Sequence, residues 1–321
     1  MGEQHIQGFR DAGAEVVALC DFDPLKRDLV ANKYPECRFY DSADKLINQP
    51  DIDVISVASY DHHHADHVLS SLDAGLHVFC EKPLCLTEQE LAKIKAALAL
   101  RPELRLASNT ILRKSERFQD VRARIMAGEL GILYNVEADY NYGRLHKLLQ
   151  GWRGEIRDYS VMLGGGIHVI DLLAWLVDSP IIEVSAIGNK ICSKDASFET
   201  PDMVLSWLKF ANGTIGKVGA NFGCIHPHFH KVSLYGTNGT FVNGIDGGLI
   251  YSDCRQDAVP SSVRSAYPGV NKGDLIPDFV SSIITRESAR LNELDPFAAV
   301  SVCLAVDKSL KTGRPEFVNN Q

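Results

Sequence analysis

Between Glu15 and Ser108, short runs dense in β-branched residues alternate with segments of helix length, and that alternation leaves few folds open. Glu15–Cys20, Asp53–Ala58 and His77–Cys80 lack the apolar/polar alternation of a half-exposed strand, so each is expected to be covered on both faces of a parallel sheet. Leu104–Ala107 is a fourth candidate. Between them, Pro24–Lys33 has proline at its start and Ala65–Ala74 is closed by Gly75. Thr87 with Glu90 forms the capping box that opens another helix. Strand and helix in turn predict a doubly wound α/β domain.

After the helical Glu116–Gly128 the period changes. Leu133–Tyr142 reads as a long extended run, and Met203–Phe210 and Thr214–Phe222 flank Asn212-Gly213, a type I′ hairpin signal. Lys231–Tyr235 and Thr240–Asn243 repeat the theme around Asn238-Gly239. Successive hairpins predict a mainly antiparallel sheet, and Pro277–Arg290 and Pro296–Lys311 read as amphipathic helices, the second stopped by Gly313 and Pro315. At 321 residues the chain exceeds one hydrophobic core. The expected division is a ligand-binding α/β domain over residues 1–110 and an α+β domain over 111–321.

Composition narrows the partners. Lys and Arg total 33 against 41 Asp and Glu, a formal charge of −8 that argues against a nucleic-acid surface. No apolar run is long enough to span a bilayer, and the N-terminus has no signal-peptide core. The eight cysteines form no CxxC pair, so neither a zinc ribbon nor a disulfide scaffold is expected, and a cytoplasmic protein with reduced thiols is. His62-His63-His64 stand too close in sequence to converge on one ion; His226, His228 and His230 alternate as on one strand face but lack a neighbouring carboxylate. No metal site is expected.

Ligands of open α/β sheets bind beyond the carboxyl ends of the strands, which places Glu81-Lys82-Pro83 where chemistry is expected. Asp21 and Asn109 close two other strands, and Gly164-Gly165-Gly166-Ile167-His168 leads to Asp171 in the second half. Together these residues resemble the glucose–fructose oxidoreductase/inositol dehydrogenase (Gfo/Idh/MocA) family over nearly the whole chain, to the terminal Thr312-Gly313-Arg314-Pro315. The resemblance implies a Rossmann-type domain and hydride transfer between a nicotinamide cofactor and a hydroxyl-bearing carbon of a sugar, polyol or sugar derivative. It matches the family's lysine to Lys82 and its catalytic histidine to His168, with Asp171 as the group that orients His168 or binds a substrate hydroxyl. Oxidising an alcohol needs a base for the hydroxyl proton and positive charge near the developing alkoxide, and these residues supply both. A histidine opening a helix is also favoured as neutral imidazole, the form a base requires.

Cofactor contacts are implied at Gly2, Asp21, Ser59, Asp61, His64, Glu81, Lys82 and Asn109. An acid at Asp21 accepts ribose hydroxyls and repels a 2′-phosphate, so NAD is expected rather than NADP, although Lys26 and Arg27 lie close by. Tyr140, Arg144, Trp152 and Arg153 suit stacking on and bonding to a sugar ring. The partner is thus a small molecule, and an exposed sheet face is expected to pair copies into a homo-oligomer.

Two departures stand out. Many family members carry an aspartate four residues before the histidine, where this chain has Gly164. Gly2 matches the third glycine of the family's Gly-x-Gly-x-x-Gly loop, so the sequence lacks the preceding strand and the first two glycines, and reduced stability is expected. These departures leave open a non-catalytic relative that binds cofactor or sugar and regulates, and reduction of a dihydrodiol or an imine on the same scaffold.

Overall fold

The helix starts bear out the local chemistry of the sequence. Thr87 Oγ1 accepts the Glu90 N–H at 3.1 Å while Glu90 Oε2 accepts the Thr87 N–H at 3.0 Å, the reciprocal capping box of a helix at Glu88–Ala99. Asp23 caps Pro24–Lys33 by accepting the Leu25 N–H at 3.0 Å. These contacts are taken from a computed structural model that describes residues 1–156, 159–196, 199–286 and 295–319.

The chain divides into two compact units, Met1–Asn109 with Asn271–Pro296, and Thr110–Val270 with Phe297–Gln321. In the first, the elements run α1 (Gly2–Asp11), β1 (Ala18–Cys20), α2 (Pro24–Lys33), β2 (Arg38–Tyr40), α3 (Ala43–Ile47), β3 (Val54–Val57), α4 (His64–Asp73), β4 (His77–Cys80), α5 (Glu88–Ala99) and β5 (Leu106–Ser108). All pairings are parallel, in the orders β1-β2 and β3-β4-β5, and among the described residues no strand joins the two sheets. The difference shows in burial. Val78, Phe79 and Cys80 of β4 are fully buried, whereas α2 buries no residue and Leu25 and Leu29 are 77% and 71% exposed. The helix Ile276–Thr285 also belongs to this unit and sets Phe279 against Phe79 of β4 (5.5 Å between ring centroids). It covers residues 277–285 of the helix expected over Pro277–Arg290; residues 287–290 lie outside the described residues.

The second unit is a nine-stranded sheet. Its strands are β6 (Leu133–Asn141), β7 (Ile181–Asn189), β8 (Met203–Phe210), β9 (Ile215–Asn221), β10 (Phe229–Gly236), β11 (Thr240–Asn243), β12 (Gly248–Tyr251), β13 (Ser261–Val263) and β14 (Glu316–Phe317), in the order β13-β12-β11-β10-β6-β9-β8-β7-β14. Every pairing is antiparallel except β6 with β9. One face buries Val136, Val204, Leu208, Val218, Val232 and Phe241. Against this sheet pack the helices Ile167–Val177 and Ala298–Thr312. The former is apolar nearly all round, as a helix enclosed in a core must be; each such Leu or Ile stabilises the fold by about 1.5–3 kcal/mol. The other face leaves Ile187, Trp207 and Ile215 largely exposed.

Both Asn-Gly turn expectations need correction: at Asn238-Gly239 neither residue takes positive φ, and the Gly236 N–H donates to Gly239 O at 2.9 Å across Thr237-Asn238. Only Gly213 of the Asn212-Gly213 pair takes positive φ (91°), and the Phe210 N–H reaches Thr214 O at 2.9 Å, so the β8–β9 connection is a three-residue loop and not a type I′ turn. The Asn212 side chain accounts for this, accepting the Thr214 N–H at 3.0 Å and stabilising the longer loop.

Candidate active site

In the first unit the functional residues line the carboxyl ends of β3, β4 and β5. Glu81 and Asn109 continue the ladder beyond these strands, their N–H groups donating to Val57 O (2.8 Å) and Cys80 O (2.9 Å). Glu81 is buried, and its Oε1 accepts from His5 Nε2 at 3.1 Å and from Asn109 Nδ2 at 2.9 Å. Asn109 Nδ2 also donates to Lys272 O at 2.8 Å, and His5 Nδ1 bonds Ser56 Oγ at 2.8 Å. Burial by itself would raise the Glu81 pKa; the His5 hydrogen bond, the Lys272 charge and the Asn109 amide outweigh it and hold the carboxyl down at about 2. Lys82, half-buried, thus follows a carboxylate locked in its ionised form.

The loop after β3 is pinned from within. His64 is fully buried, with Nδ1 2.6 Å from Pro83 O and Nε2 3.1 Å from Ser59 O. It ties this loop to the one carrying Lys82, and both ring nitrogens face the protein's own carbonyls, which corrects the expectation of a ligand contact from its ring. Ser59 Oγ bonds His67 Nδ1 at 3.1 Å. Asp61 Oδ2, Glu81 Oε2 and Asn109 Oδ1 are buried with no donor among the described residues. Such orphaned acceptors along a strand-end row fit a ligand rich in hydroxyl and amide donors, as a nicotinamide dinucleotide is. A Cβ built on Gly2 meets nothing within 4 Å. Asp21 Oδ1 accepts the Asp23 N–H at 2.9 Å, while Lys26 lies 3.7 Å from Asp23 and Arg27 3.9 Å from Asp28.

In the second unit the glycine triplet forms a π-helical turn, Met162–Gly166, that runs directly into Ile167–Val177. His168 therefore sits inside continuous helix and not at a free N-terminus. The dipole argument for its neutral form does not apply as drawn, because preceding turns already occupy the first amides. His168 is 5% exposed and stacks on Tyr140 of β6 (6.0 Å, 23°). Asp171 does not turn to His168. Arg113, on the turn Ile111–Lys114, grips both carboxylate oxygens, with Nε to Oδ2 at 2.8 Å and a terminal nitrogen to Oδ1 at 2.5 Å.

Tyr140 is the centre of a ring cluster. Opposite it in register on β10 lies His230, 5% exposed and 5.4 Å away, with His228 at 5.1 Å. Burial pushes the Tyr140 phenol pKa well up. Around it, the Arg144 guanidinium lies over Tyr142 (5.2 Å), Arg153 lies over Trp152 (4.4 Å), and Arg153 Nε donates to the Tyr159 hydroxyl at 3.1 Å. Sequence reasoning missed His5, Arg113, Tyr159 and His230 as parts of these clusters. The signal for His230 was its strand parity, but its place beside Tyr140 depends on the β6–β10 register. Among the described residues, no three His, Cys, Asp or Glu side chains are arranged to hold a metal ion.

Known proteins share this architecture and sequence. A family described as oxidoreductase family, NAD-binding Rossmann fold, matches residues 1–106, and the GFO/IDH/MocA C-terminal domain matches residues 118–242. Inositol 2-dehydrogenase 2 of Paenarthrobacter aurescens is 30% identical over 280 residues, 83% of this chain and 80% of that protein. Inositol 2-dehydrogenase 3 of Saccharopolyspora erythraea is 23% identical over 98% of this chain and 91% of its own. Among solved structures, a levoglucosan dehydrogenase in complex with NADH and levoglucosan superposes with a TM-score of 0.84 over 100% of this chain and 97% of that one, at 18% identity, a likeness of fold.

Proposed function

The chain belongs to the Gfo/Idh/MocA oxidoreductase family, and on that premise we propose that it transfers hydride between NAD and a hydroxyl-bearing carbon of a sugar, polyol or sugar derivative. The observation that carries this reading is the strand-end row of Asp61 Oδ2, Glu81 Oε2 and Asn109 Oδ1, buried oxygens with no donor among the described residues, beside Lys82. Ser59, Asp61, Glu81, Lys82 and Asn109 would hold the nicotinamide half, His64 the shape of their loops, and Gly2 and Asp21 the phosphate and ribose. When bound, the nicotinamide supplies the site that accepts or returns hydride.

The protein's own groups handle the proton. His168 accepts it from the substrate hydroxyl, and the Lys82 ammonium lowers the energy of the alkoxide that develops. Tyr140 with Arg144, Trp152 and Arg153 binds the ring and its hydroxyls. Asp171 supports the helix of His168 through Arg113. NAD is preferred over NADP because Asp21 meets the ribose, while Lys26 and Arg27 lie beside the acids Asp23 and Asp28.

Two wider features belong to the same reading. The exposed Ile187, Trp207 and Ile215 support pairing of the open sheet face with a second copy. Eight free cysteines, among them the exposed Cys20, Cys192 and Cys254, support a reducing compartment such as the cytoplasm; among the described residues no helix is long and apolar enough to cross a membrane.

The test is turnover of NAD and of NADP with a panel of inositols, sugars and anhydrosugars, in the parent and two variants. His168→Ala should lower kcat by about 10²–10⁴-fold. Lys82→Met should also lose turnover yet still bind NAD in a calorimetric titration. Parent-like turnover in both variants, or tighter binding of NADP than NAD, overturns the corresponding assignment.

A further inference from the structure

The π-turn that leads to His168 has no side chains at Gly164, Gly165 and Gly166 to fix its own path. Its shape is therefore set by what surrounds it. Ser160 contributes with both of its oxygens: its carbonyl accepts the Gly164 N–H at 2.8 Å and its Oγ accepts the Leu163 N–H at 3.1 Å. The Ser160 hydroxyl in turn donates to Asp307 Oδ1 at 2.9 Å, on the helix Ala298–Thr312. Cys303, four residues earlier and so on the same helix face, donates from Sγ to Met162 O at 3.6 Å. One helix thus holds the turn at two points, Ser160 and Met162.

The Asp307 contact orders the Ser160 hydroxyl. Burial raises this carboxyl to about 7, with the Ser160 hydrogen bond and the Lys311 charge opposing it, so at pH 8 it is mostly ionised. A carboxylate only accepts, so the single hydroxyl proton of Ser160 points to it and an oxygen lone pair faces the Leu163 N–H. Without an acceptor at position 307 the hydroxyl can rotate, and the Leu163 amide loses its fixed partner. His168 stands two residues after the last of the three glycines, on the helix Ile167–Val177, so a shift of the turn carries the imidazole with it.

We propose that Asp307 is a positioning residue for His168: through the Ser160 hydroxyl it fixes the glycine turn from which the His168 helix starts. The consequence for turnover rests on the dehydrogenase reading above; the hold on the turn does not.

Three variants of the full chain test this at pH 8. Asp307→Leu keeps the size of the side chain but cannot accept, Asp307→Asn still can, and Ser160→Ala removes the hydroxyl. Amide hydrogen exchange at Leu163, read by NMR of the labelled chain, should speed up about two- to ten-fold in Asp307→Leu and Ser160→Ala, as expected for one lost hydrogen bond. In the same two variants kcat should fall about ten- to a hundred-fold, because a displaced base is a slower one. KM and the NAD dissociation constant should stay close to the parent's, and melting within roughly a few degrees of it. Asp307→Asn should recover most of the lost kcat, and Ser160→Ala with Asp307→Leu should cost no more than either alone. Unchanged Leu163 exchange in Asp307→Leu overturns the proposal whatever the turnover, and so does a parent-like kcat in that variant. If Asp307→Leu does not fold, Ser160→Ala decides by the same two readouts. A parent inactive on every polyol, with Leu163 exchange altered as expected, overturns the dehydrogenase reading and supports the hold on the turn.

Discussion

The phenol of Tyr159 stands where a side chain at Gly164 would have to be: a Cβ built on Gly164 meets the Tyr159 hydroxyl and lies 2.6 Å from its Cζ. Gly165 is likewise hemmed in by the Tyr140 ring, with Cδ1 2.6 Å away. The absence of the family's usual aspartate is thus filled by an aromatic group, itself held by Arg153. Small residues at the π-turn let two rings approach the backbone one turn from His168.

Gly164→Ala should therefore strain the site. Tyr159 is ring and not a flexible tail, so the added methyl should cost about 1–3 kcal/mol of stability. Urea unfolding measures this, and a midpoint equal to the parent's would contradict the close approach.

Arg113→Ala leaves the Asp171 carboxylate without its charge partner. The pair is 15% and 2% exposed in its side chains, and stranding such a charge costs about 3–5 kcal/mol. Replacing both, as Arg113→Met with Asp171→Leu, should cost less than the single change. A thermodynamic cycle showing the two costs simply adding would remove the coupling.

Asp307 gives a pH signature. Burial raises its carboxyl from 3.8 to about 7, against the opposing hydrogen bond from Ser160 and charge of Lys311. A folded pKa above the unfolded one contributes stability fully present below about 3.8 and lost as pH rises through about 7. Asp307→Asn keeps an acceptor for Ser160, whose hydroxyl donates to Oδ1 at 2.9 Å, without the ionisation. It should melt roughly a few degrees above the parent at pH 8, and the gap should close toward pH 4. Parallel Tm curves across that range would exclude the assignment.

Trp207→Glu probes the open sheet face. Trp207 is 64% exposed, opposite Lys217 on β9 and Ser185 on β7. If copies pair through this face as proposed, light scattering should show a parent larger than one chain and a smaller variant, with melting little changed; a parent of single-chain mass, or an unaltered mass, overturns that pairing.

Much of the fold was legible because it rests on near-neighbour chemistry. Pro24–Lys33, Met203–Phe210 and Thr240–Asn243 match the sequence expectation residue for residue, since caps, breakers and side-chain period act within a few positions. β14 has only two residues, paired to β7, and no local pattern marks so short an element. The Asn212-Gly213 turn failed because the asparagine side chain bonds its own loop, an alternative of small energy that the dipeptide does not reveal.

What the sequence alone determined is the set of groups at the strand ends: Lys82, Glu81 and Asn109 follow β4 and β5 by chain connectivity, and parallel strands place their ends together. What only the tertiary structure decided is which groups meet. His5 reaches Glu81 across 76 positions, Arg113 takes Asp171 across 58, and the β6–β10 register brings His230 to Tyr140. Hydrogen bonds and ring contacts act over a few ångströms of space and are indifferent to sequence separation, so a partner chosen by packing leaves no mark in the local pattern of either residue.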